Sequence, residues 1–136
     1  MAITQAIVDT DILSAVMRKN PVVIPKAHAY ISEYGQFRFS IITRYEILRG
    51  LKAKVATKQV IAFNSFCQKN LIFPLTDEIV VRAAEIYADL WQRGQLIGDA
   101  DILIASSALV HGLGVVTNNE DHFNRITDLR VQNWLK

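Results

Sequence analysis

Short apolar runs that end at a polar residue are the feature of this sequence that most restricts its fold. The run 6–8 is followed by Asp9, and the apolar residues 115–116 are followed by Thr117, Asn118 and Asn119. Runs that are apolar at every position are typical of strands covered on both faces, as in parallel sheets. Because the ends of parallel strands meet at one edge of a sheet, where ligands bind, we expect these polar residues to lie together.

Longer segments with helical apolar spacing separate these runs. Helices are predicted over 12–18, 22–34, 41–54, 55–69, 76–93 and 101–111, and strands over 6–8, 37–39, 71–73, 115–117 and 129–131. Thr10 or Asp11 is predicted to cap the first helix. In the helix 41–54, one stripe is predicted to comprise Ile41, Tyr45, Leu48 and Lys52. The alternation predicts an α/β/α sandwich with a short, mainly parallel central sheet.

Composition narrows the class of protein. The length of 136 residues fits one domain over 1–136, and the hydrophobic content of 51% supplies a core. A formal net charge of +2 is too weak to indicate a nucleic-acid partner by itself. Cys67 is the single cysteine, so we expect a buried thiol and a cytoplasmic location. No signal peptide is expected, and no apolar run approaches the roughly 20 residues that span a bilayer.

Acidic and amide residues recur where a strand is predicted to end or a helix to begin. They are Asp9, Glu46, Asp99, Asp101 and Asn119. Carboxylates gathered at one edge of a sheet repel one another unless a cation lies between them. Their oxygen ligands suit a hard metal ion, so the sequence predicts a Mg²⁺ or Mn²⁺ site.

Each of these residues also has a structural interpretation. Asp9 can be a helix N-cap, and Asp99 is placed to cap the helix that contains Asp101. Glu46 can be a solvated helix residue paired with Arg49. The segment 117–119 can be an ordinary turn after a strand.

Four motifs in order resemble those of the PIN-domain nucleases, and among them the VapC toxins of bacterial toxin–antitoxin pairs. The first is Asp-Thr at 9–10, where Asp11 stands in place of the usual Asn. The second runs from Glu46 to Gly50, and the third is Asp-x-x-Ile-Ala at 101–105. The last is Thr-Asn-Asn at 117–119, followed by His122 and Phe123. The resemblance covers nearly the whole chain.

The resemblance implies an RNA-hydrolysing site built from Asp9, Glu46 and Asp101. Mg²⁺ or Mn²⁺ would be held by Asp9 and Asp101, with Glu46 directly or through water. Asn119 stands where many relatives carry Asp, which weakens a second metal position, and Asp99 is a candidate to compensate. Phe123 is expected in the core, and His122 at the surface or behind the metal ligands.

The resemblance also implies partners. Such toxins form homodimers and are silenced by a small antitoxin, whose C-terminal segment covers the active site in a groove formed by the first four helices. Thr10, Thr117 and Asn119 are expected to support the site or contact the substrate. A path for RNA phosphates, or alternatively a solvated surface, is predicted at Arg44, Arg49, Lys52, Lys54 and Lys58.

Two other classes of protein remain open at this point. Asp9 and Asp11 after an apolar strand also resemble the opening of haloacid-dehalogenase-type phosphatases, with Asp9 as nucleophile and Asp11 as acid/base. The Gly98–Asp99 pair then corresponds to their closing acidic motif. The third class is a PIN-like binding module without catalytic activity.

Overall fold

A computed structural model describes residues 3–136. Its strands are β1 (Ala6–Val8), β2 (Arg38–Ser40), β3 (Leu71–Phe73), β4 (Gly114–Val116) and β5 (Val131–Gln132). Its helices are α1 (Thr10–Met17), α2 (Ile24–Tyr34), α3 (Ile41–Ala53), α4 (Thr57–Gln68), α5 (Asp77–Gln92), α6 (Asp99–Val110) and α7 (Glu120–Phe123). The strands at 6–8 and 71–73 begin and end where the sequence predicts.

All strand pairs are parallel. One sheet has the order β1-β4-β5, the other pairs β2 with β3, and β1 lies beside β2. In the first sheet, Ile7 is opposite Val115, and Val115 is opposite Val131. The prediction of a short parallel sheet among helices is therefore confirmed. Because β1 and β4 are neighbours that run in the same direction, the residues that follow them emerge at the same edge.

Two hydrophobic cores form on opposite faces of the central strands. Ala6 and Val8 pack with α1, α2, α3 and α4, whereas Ile7 packs with α5 and α6. In β4, Val116 belongs to the first core and Val115 to the second. Successive side chains of a strand point to opposite faces, so fully apolar strands are buried between two helical layers. This arrangement is the predicted three-layer sandwich.

The start of α1 differs from its prediction, because the helix begins at Thr10 instead of Ile12. Its N-cap is Asp9, which agrees with the structural interpretation of that residue, whereas the assignment of the cap to Thr10 or Asp11 is wrong. Asp9 has an extended backbone (φ −71°, ψ 160°), and its carboxylate accepts a hydrogen bond from the Thr10 N–H. The helix therefore begins directly at the end of β1, with no intervening turn.

The predicted apolar stripe of α3 is wrong. Ile41 and Tyr45 are exposed, and the buried positions of α3 are Thr43 and Ile47. The helix turns this second face toward α1, and the small Thr43 side chain meets Thr10 there. Apolar spacing alone did not distinguish the two faces, because α3 has apolar residues on both sides.

Other element boundaries shift by one to two residues. The helix α4 begins at Thr57 instead of residue 55, because Val55 has a positive φ of 53° and ends the preceding turn. β5 lies at Val131–Gln132, two residues beyond the predicted start. Cys67 is buried, as predicted, and Trp134 packs into the first core. Within residues 3–136, no helix is long and apolar enough to cross a membrane.

Candidate active site at the strand ends

The ends of β1 and β4 bring Asp9 and Thr117 together. The Thr117 hydroxyl donates to Asp9 Oδ2 at 2.7 Å, and the Thr10 N–H donates to Asp9 Oδ1 at 2.8 Å. The Asp9 N–H donates to the carbonyl of Val116 at 2.9 Å and so extends the strand pairing by one residue. Asp9 is 5% exposed and Thr117 is fully buried. Both oxygens of the Asp9 carboxylate are therefore held in fixed positions.

Burial makes the Asp9 carboxylate electrostatically unfavourable. The pKa of Asp9 rises from 3.8 to about 7, chiefly because of desolvation and then because of the neighbouring charge of Asp11. The Thr117 and Thr10 hydrogen bonds lower the pKa again, and the charge of Asp101 raises it further. A buried carboxylate with two acidic neighbours gains from a nearby cation.

Asp11 belongs to the same electrostatic group. Its carboxylate accepts from its own helix at the Ile12 N–H (2.7 Å) and from the Asn118 N–H after β4 (3.0 Å). The pKa of Asp11 is raised, mainly by burial and also by the charge of Asp101. Asp11 thus ties the start of α1 to the segment that follows β4.

Glu46 reaches the site from α3. The Thr10 hydroxyl donates to Glu46 Oε1 at 2.6 Å, and the Thr43 hydroxyl lies 3.0 Å from Thr10 Oγ1. Arg49 lies 3.8 Å from the other carboxylate oxygen of Glu46. The Glu46 side chain is 22% exposed, so it is more open to solvent than the buried Asp9. Thr10 therefore connects the first and second acidic motifs.

Asp101 projects from the first turn of α6 and meets α7. Its Oδ2 lies 3.3 Å from Asn119 Nδ2 and 3.1 Å from His122 Nδ1, and those two nitrogens are 2.8 Å apart. In one tautomer His122 accepts from Asn119 at Nδ1, and in the other it donates to Asp101. Asn119 acts here as a hydrogen-bond donor to Asp101.

Asp99 and Arg44 lie outside this contact network, and Arg49 lies at its edge. The N-cap of α6 is Gly98, not Asp99, which is exposed in the first turn. Arg44 donates to Cys67 Sγ at 3.2 Å and lies over the Phe63 ring, so it packs against α4. Arg49 is 59% exposed beside Glu46. Of the two arginines, only Arg49 is at the edge of the acidic site.

The residues supply oxygen donors that suit Mg²⁺ or Mn²⁺. Within residues 3–136, no three His, Cys, Asp or Glu side chains converge into a ready-made metal-binding group. The Asp101 carboxylate is turned toward α7, and that of Glu46 toward Thr10. Over the same residues, no Lys or Arg forms an ion pair with Asp9, Asp11 or Asp101. The chemistry of the donors and the raised pKa of Asp9 fit a divalent cation.

One contributor is not among the metal-site residues predicted from the sequence. Asp11 is predicted as a helix cap, as a departure from the usual Asn of the first motif or as the acid of a phosphatase, yet its charge interacts with those of Asp9 and Asp101. The replacement of that Asn by an acidic residue is the feature of the sequence that could have indicated this role. His122, expected at the surface or behind the metal ligands, contacts Asp101 directly.

Comparison with known proteins identifies the family. The PIN-domain family matches residues 6–129. Ribonuclease VapC1 of Methanocaldococcus jannaschii is 31% identical over 129 residues, which cover 95% of this chain and 86% of the relative. The tRNA(fMet)-specific endonuclease VapC of Salmonella typhimurium is 30% identical over 96 residues, which cover 70% of this chain and 73% of the relative.

A solved structure agrees with these matches. The structure of VapBC2 from Rickettsia felis bound to a DNA fragment from their promoter contains a similar chain, with a TM-score of 0.83 and 25% identity. The similarity covers 95% of this chain and 98% of that chain. A parallel sheet with acidic residues at its strand ends is the PIN-domain architecture. The chain belongs to the PIN-domain family and, within it, to the VapC ribonucleases.

The family assignment removes the phosphatase alternative. Asp99 opens a helix instead of following a strand, so the Gly98–Asp99 pair does not form the closing motif that such phosphatases need. Asp9 is buried and bonded to Thr10 and Thr117, and it is not presented as an exposed nucleophile.

Proposed function

We propose that this chain is a metal-dependent endoribonuclease that acts as the toxin of a VapBC-type toxin–antitoxin pair in the cytoplasm. The observation that carries the proposal is the burial of the Asp9 carboxylate at the end of β1 beside Asp11 and Asp101, with no Lys or Arg of residues 3–136 paired to any of the three. A protein retains such an unfavourable arrangement where it serves a function, and functional sites are where strongly shifted pKa values cluster. The family membership supports the ribonuclease and toxin parts of the proposal, and the unpaired Cys67 supports a cytoplasmic location.

The metal ligands proposed are Asp9 and Asp101, with Glu46 directly or through water. A bound Mg²⁺ or Mn²⁺ ion would activate water and neutralise charge on the phosphate. Thr117 and Thr10 hold the oxygens of Asp9, and Thr10 also fixes Glu46.

Asn119 and His122 orient Asp101. Asp99 and Asn119 remain the weaker ligand candidates. Asp99 is exposed, and Asn119 directs its amide N–H toward Asp101.

Arg49 is the basic residue best placed to contact RNA near the acidic site. It lies over the Tyr45 ring, and its charge is only weakly paired with Glu46 at 3.8 Å. A phosphate contact by Arg49 would bring the RNA backbone to the open side of Glu46. Transfer RNA is the first substrate to test, because a relative is named as a tRNA(fMet)-specific endonuclease.

A groove of about 410 Å³ runs from Thr10 and Glu46 between α1, α3 and α4. The residues that line it include Met17, Ile47 and Leu51, together with the cationic Arg18 and Lys54. An apolar floor beside positive charge suits an amphipathic segment of a small antitoxin, and a segment lying there would reach the acidic site. The sequence predicts a groove formed by the first four helices, and this groove is lined by α1, α3 and α4 but not by α2.

The homodimer is proposed to form through the exposed face of α5. Val80, Tyr87 and Trp91 are 49%, 44% and 63% exposed, and Ala84 lies between them on the same stripe. Two antiparallel copies of α5 related by a two-fold axis would place the small Val80 against Trp91 of the other copy. Ala84 would then face Tyr87 of the other copy. The stripe is therefore self-complementary in size, as an isologous interface requires.

The dimer is tested by Trp91→Glu in sedimentation or light-scattering measurements, with the exposed Val55→Glu as the matched control. The parent and the control are expected to be dimeric and Trp91→Glu monomeric. Equal masses for all three proteins would remove α5 as the interface.

Cleavage is tested with a pool of total tRNA and rRNA, in Mg²⁺ or Mn²⁺ against EDTA. Asp101→Asn is compared with the parent and with Asp77→Asn, which alters an exposed carboxylate at the start of α5. The parent and Asp77→Asn are expected to cut RNA in the presence of metal, and Asp101→Asn is expected to be folded and inactive.

Two results would contradict the proposal. One is an Asp101→Asn protein that binds metal and cuts RNA at the parent rate. The other is cleavage by the parent that is unaffected by EDTA. Metal binding by the parent without cleavage of any RNA in the pool would favour a non-catalytic PIN-like binding module.

A further inference from the structure

Two arginines outside the acidic site join the segment that leads into α6 to the segment that follows α7. Arg125 Nη1 donates to the carbonyls of Gln95 and Leu96, at 3.4 and 3.3 Å. Arg93 Nη2 donates to the carbonyl of Arg125 at 2.7 Å. Arg125 therefore binds the backbone just after Arg93, and Arg93 binds the backbone of Arg125 itself. We call this pair the arginine clamp.

Acidic partners hold both arginines in place. Arg93 binds Asp89 Oδ2 through Nε at 3.1 Å and through Nη2 at 2.7 Å, and it also donates to Gln95 Oε1 at 3.0 Å. Arg125 Nη2 binds Asp121 Oδ2 at 2.9 Å. These contacts direct both guanidinium groups toward atoms of the protein itself.

The two segments that the clamp joins are those that carry the Asp101 contacts. Residues 95–98 lead directly into α6, whose first turn contains Asp101. Asn119 and His122 lie at the start of α7, and Arg125 follows its end. The contact of Asp101 with Asn119 and His122 therefore depends on how α7 lies against the entry to α6.

Apolar packing also joins α7 to α6, with Phe123 fully buried in their shared core, but it does not by itself set their relative orientation. Ile97 and Ile126 pack into the core shared with α6, one from each joined segment. The helix α7 spans only Glu120–Phe123, and α6 has no side-chain N-cap. Apolar contacts are non-directional, whereas a planar guanidinium that binds two successive carbonyls has one preferred orientation.

We propose that Arg125, supported by Arg93, is a positioning residue for the acidic site. The clamp sets α7 against the start of α6 and thereby holds Asn119 and His122 in contact with Asp101. Its consequence for catalysis rests on the proposed ribonuclease function, whereas its effect on the Asp101 contacts does not. The carboxylates of the two ion pairs, Asp89 and Asp121, are 51% and 83% exposed, and ion pairs open to solvent contribute little to stability. A displacement of the Asp101 contacts can therefore be measured apart from unfolding.

The first test uses NMR of the Asn119 side-chain amide, which donates to the Asp101 carboxylate. The signals of this amide are assigned by their loss in Asn119→Ala. The variant Asp101→Ala gives their chemical shifts in the absence of the Asn119–Asp101 contact. Arg125→Ala is expected to move the signals toward those chemical shifts, and Arg125→Lys is expected to restore them only in part, because lysine lacks the planar fork. Arg130→Ala is the matched control, since Arg130 is exposed and bonds only weakly to Gly112.

The second test uses RNA cleavage by the same variants. Arg125→Ala is expected to lower kcat about tenfold with KM nearly unchanged, because a displaced active-site group affects the reaction more than substrate binding. Arg125→Gln is a second variant of closer volume, in case Arg125→Ala does not fold. Arg130→Ala is expected to match the parent in both tests.

The outcomes separate the two proposals. Asn119 signals that are the same in Arg125→Ala, Arg125→Gln and the parent would overturn the positioning role. So would displaced signals with an unchanged kcat. A parent protein that cuts no RNA would defeat the ribonuclease proposal, and the NMR comparison would then still decide whether the clamp holds Asp101 and Asn119 together.

Discussion

Replacement of Asp9 by Asn should stabilise the metal-free protein above neutral pH. The rise of the Asp9 pKa from 3.8 to about 7 corresponds to about 4 kcal/mol of unfavourable free energy for the ionised group in the folded state. The substitution removes that charge. The new amide oxygen can still accept from the Thr10 N–H, and the Thr117 hydroxyl can rotate to accept from the new amide nitrogen.

The sign of the pH dependence follows from proton binding. Between the unfolded pKa and the folded pKa, native Asp9 keeps a proton that the unfolded chain has already lost. The contribution of Asp9 to the free energy of unfolding of the parent therefore falls as pH rises from about 4 to about 7. The amide introduced by Asp9→Asn has no such proton, so this part of the decline is absent from the variant.

The assay is urea unfolding of both proteins in EDTA, at about pH 4.5 and about pH 8. Between these pH values, Asp9→Asn should gain about 3 kcal/mol in the free energy of unfolding relative to the parent. Asp77→Asn should gain less than about 0.5 kcal/mol, because its carboxylate is exposed. The same difference between Asp9→Asn and the parent at both pH values would refute the reasoning.

The same experiment examines the metal site. If Asp9 holds a divalent ion, addition of Mg²⁺ at about pH 8 should raise the stability of the parent, since a ligand that binds only the folded state stabilises it. Asp9→Asn should respond much less. An equal response of the two proteins would remove Asp9 as a ligand, without affecting its pKa.

Two further predictions concern packing and the link between motifs. Gly114→Ala should destabilise the protein by about 1–3 kcal/mol, because its Cβ would lie 2.8 Å from the Arg130 carbonyl. Gly50→Ala should be neutral or stabilising, because its added Cβ in α3 meets nothing within 4 Å. Thermal melts of the two variants and the parent measure both effects. Thr10→Val should cost about 1.5–3 kcal/mol and lower the cleavage rate, because Glu46 loses its 2.6 Å hydrogen bond. Unchanged unfolding and cleavage in Thr10→Val would show that this bond is dispensable.

Local sequence was sufficient for the strands and for the acidic residues beside them. The run 6–8 is apolar at every position and is followed directly by Asp9, so both the buried strand and the polar residue at its end were predictable. For β4 the prediction was one residue late, because it placed Thr117 in the strand, and the strand ends at Val116. These features depend on the side-chain pattern of a few consecutive residues, and that pattern is written in the sequence.

The face of a helix and the direction of a long side chain were decided by packing. The burial of Thr43 in place of Tyr45 depends on where α1 lies, and the contact of Arg44 with Cys67 depends on where α4 lies. The sequence gives no reason to distinguish Arg44 from Arg49, which lie on the same helix and were both predicted to contact RNA. In the structure only Arg49, of these two, lies beside the acidic site.

The contacts that make the site join residues far apart in the chain. Thr117 binds Asp9 across 108 positions, Thr10 binds Glu46 across 36, and Asn119 binds Asp101 across 18. The sequence determined which chemical groups were available and at which ends of the elements they lie. The tertiary structure alone decided which of them meet, because the parallel pairing of β1 with β4 and the packing of α3 and α7 set those distances.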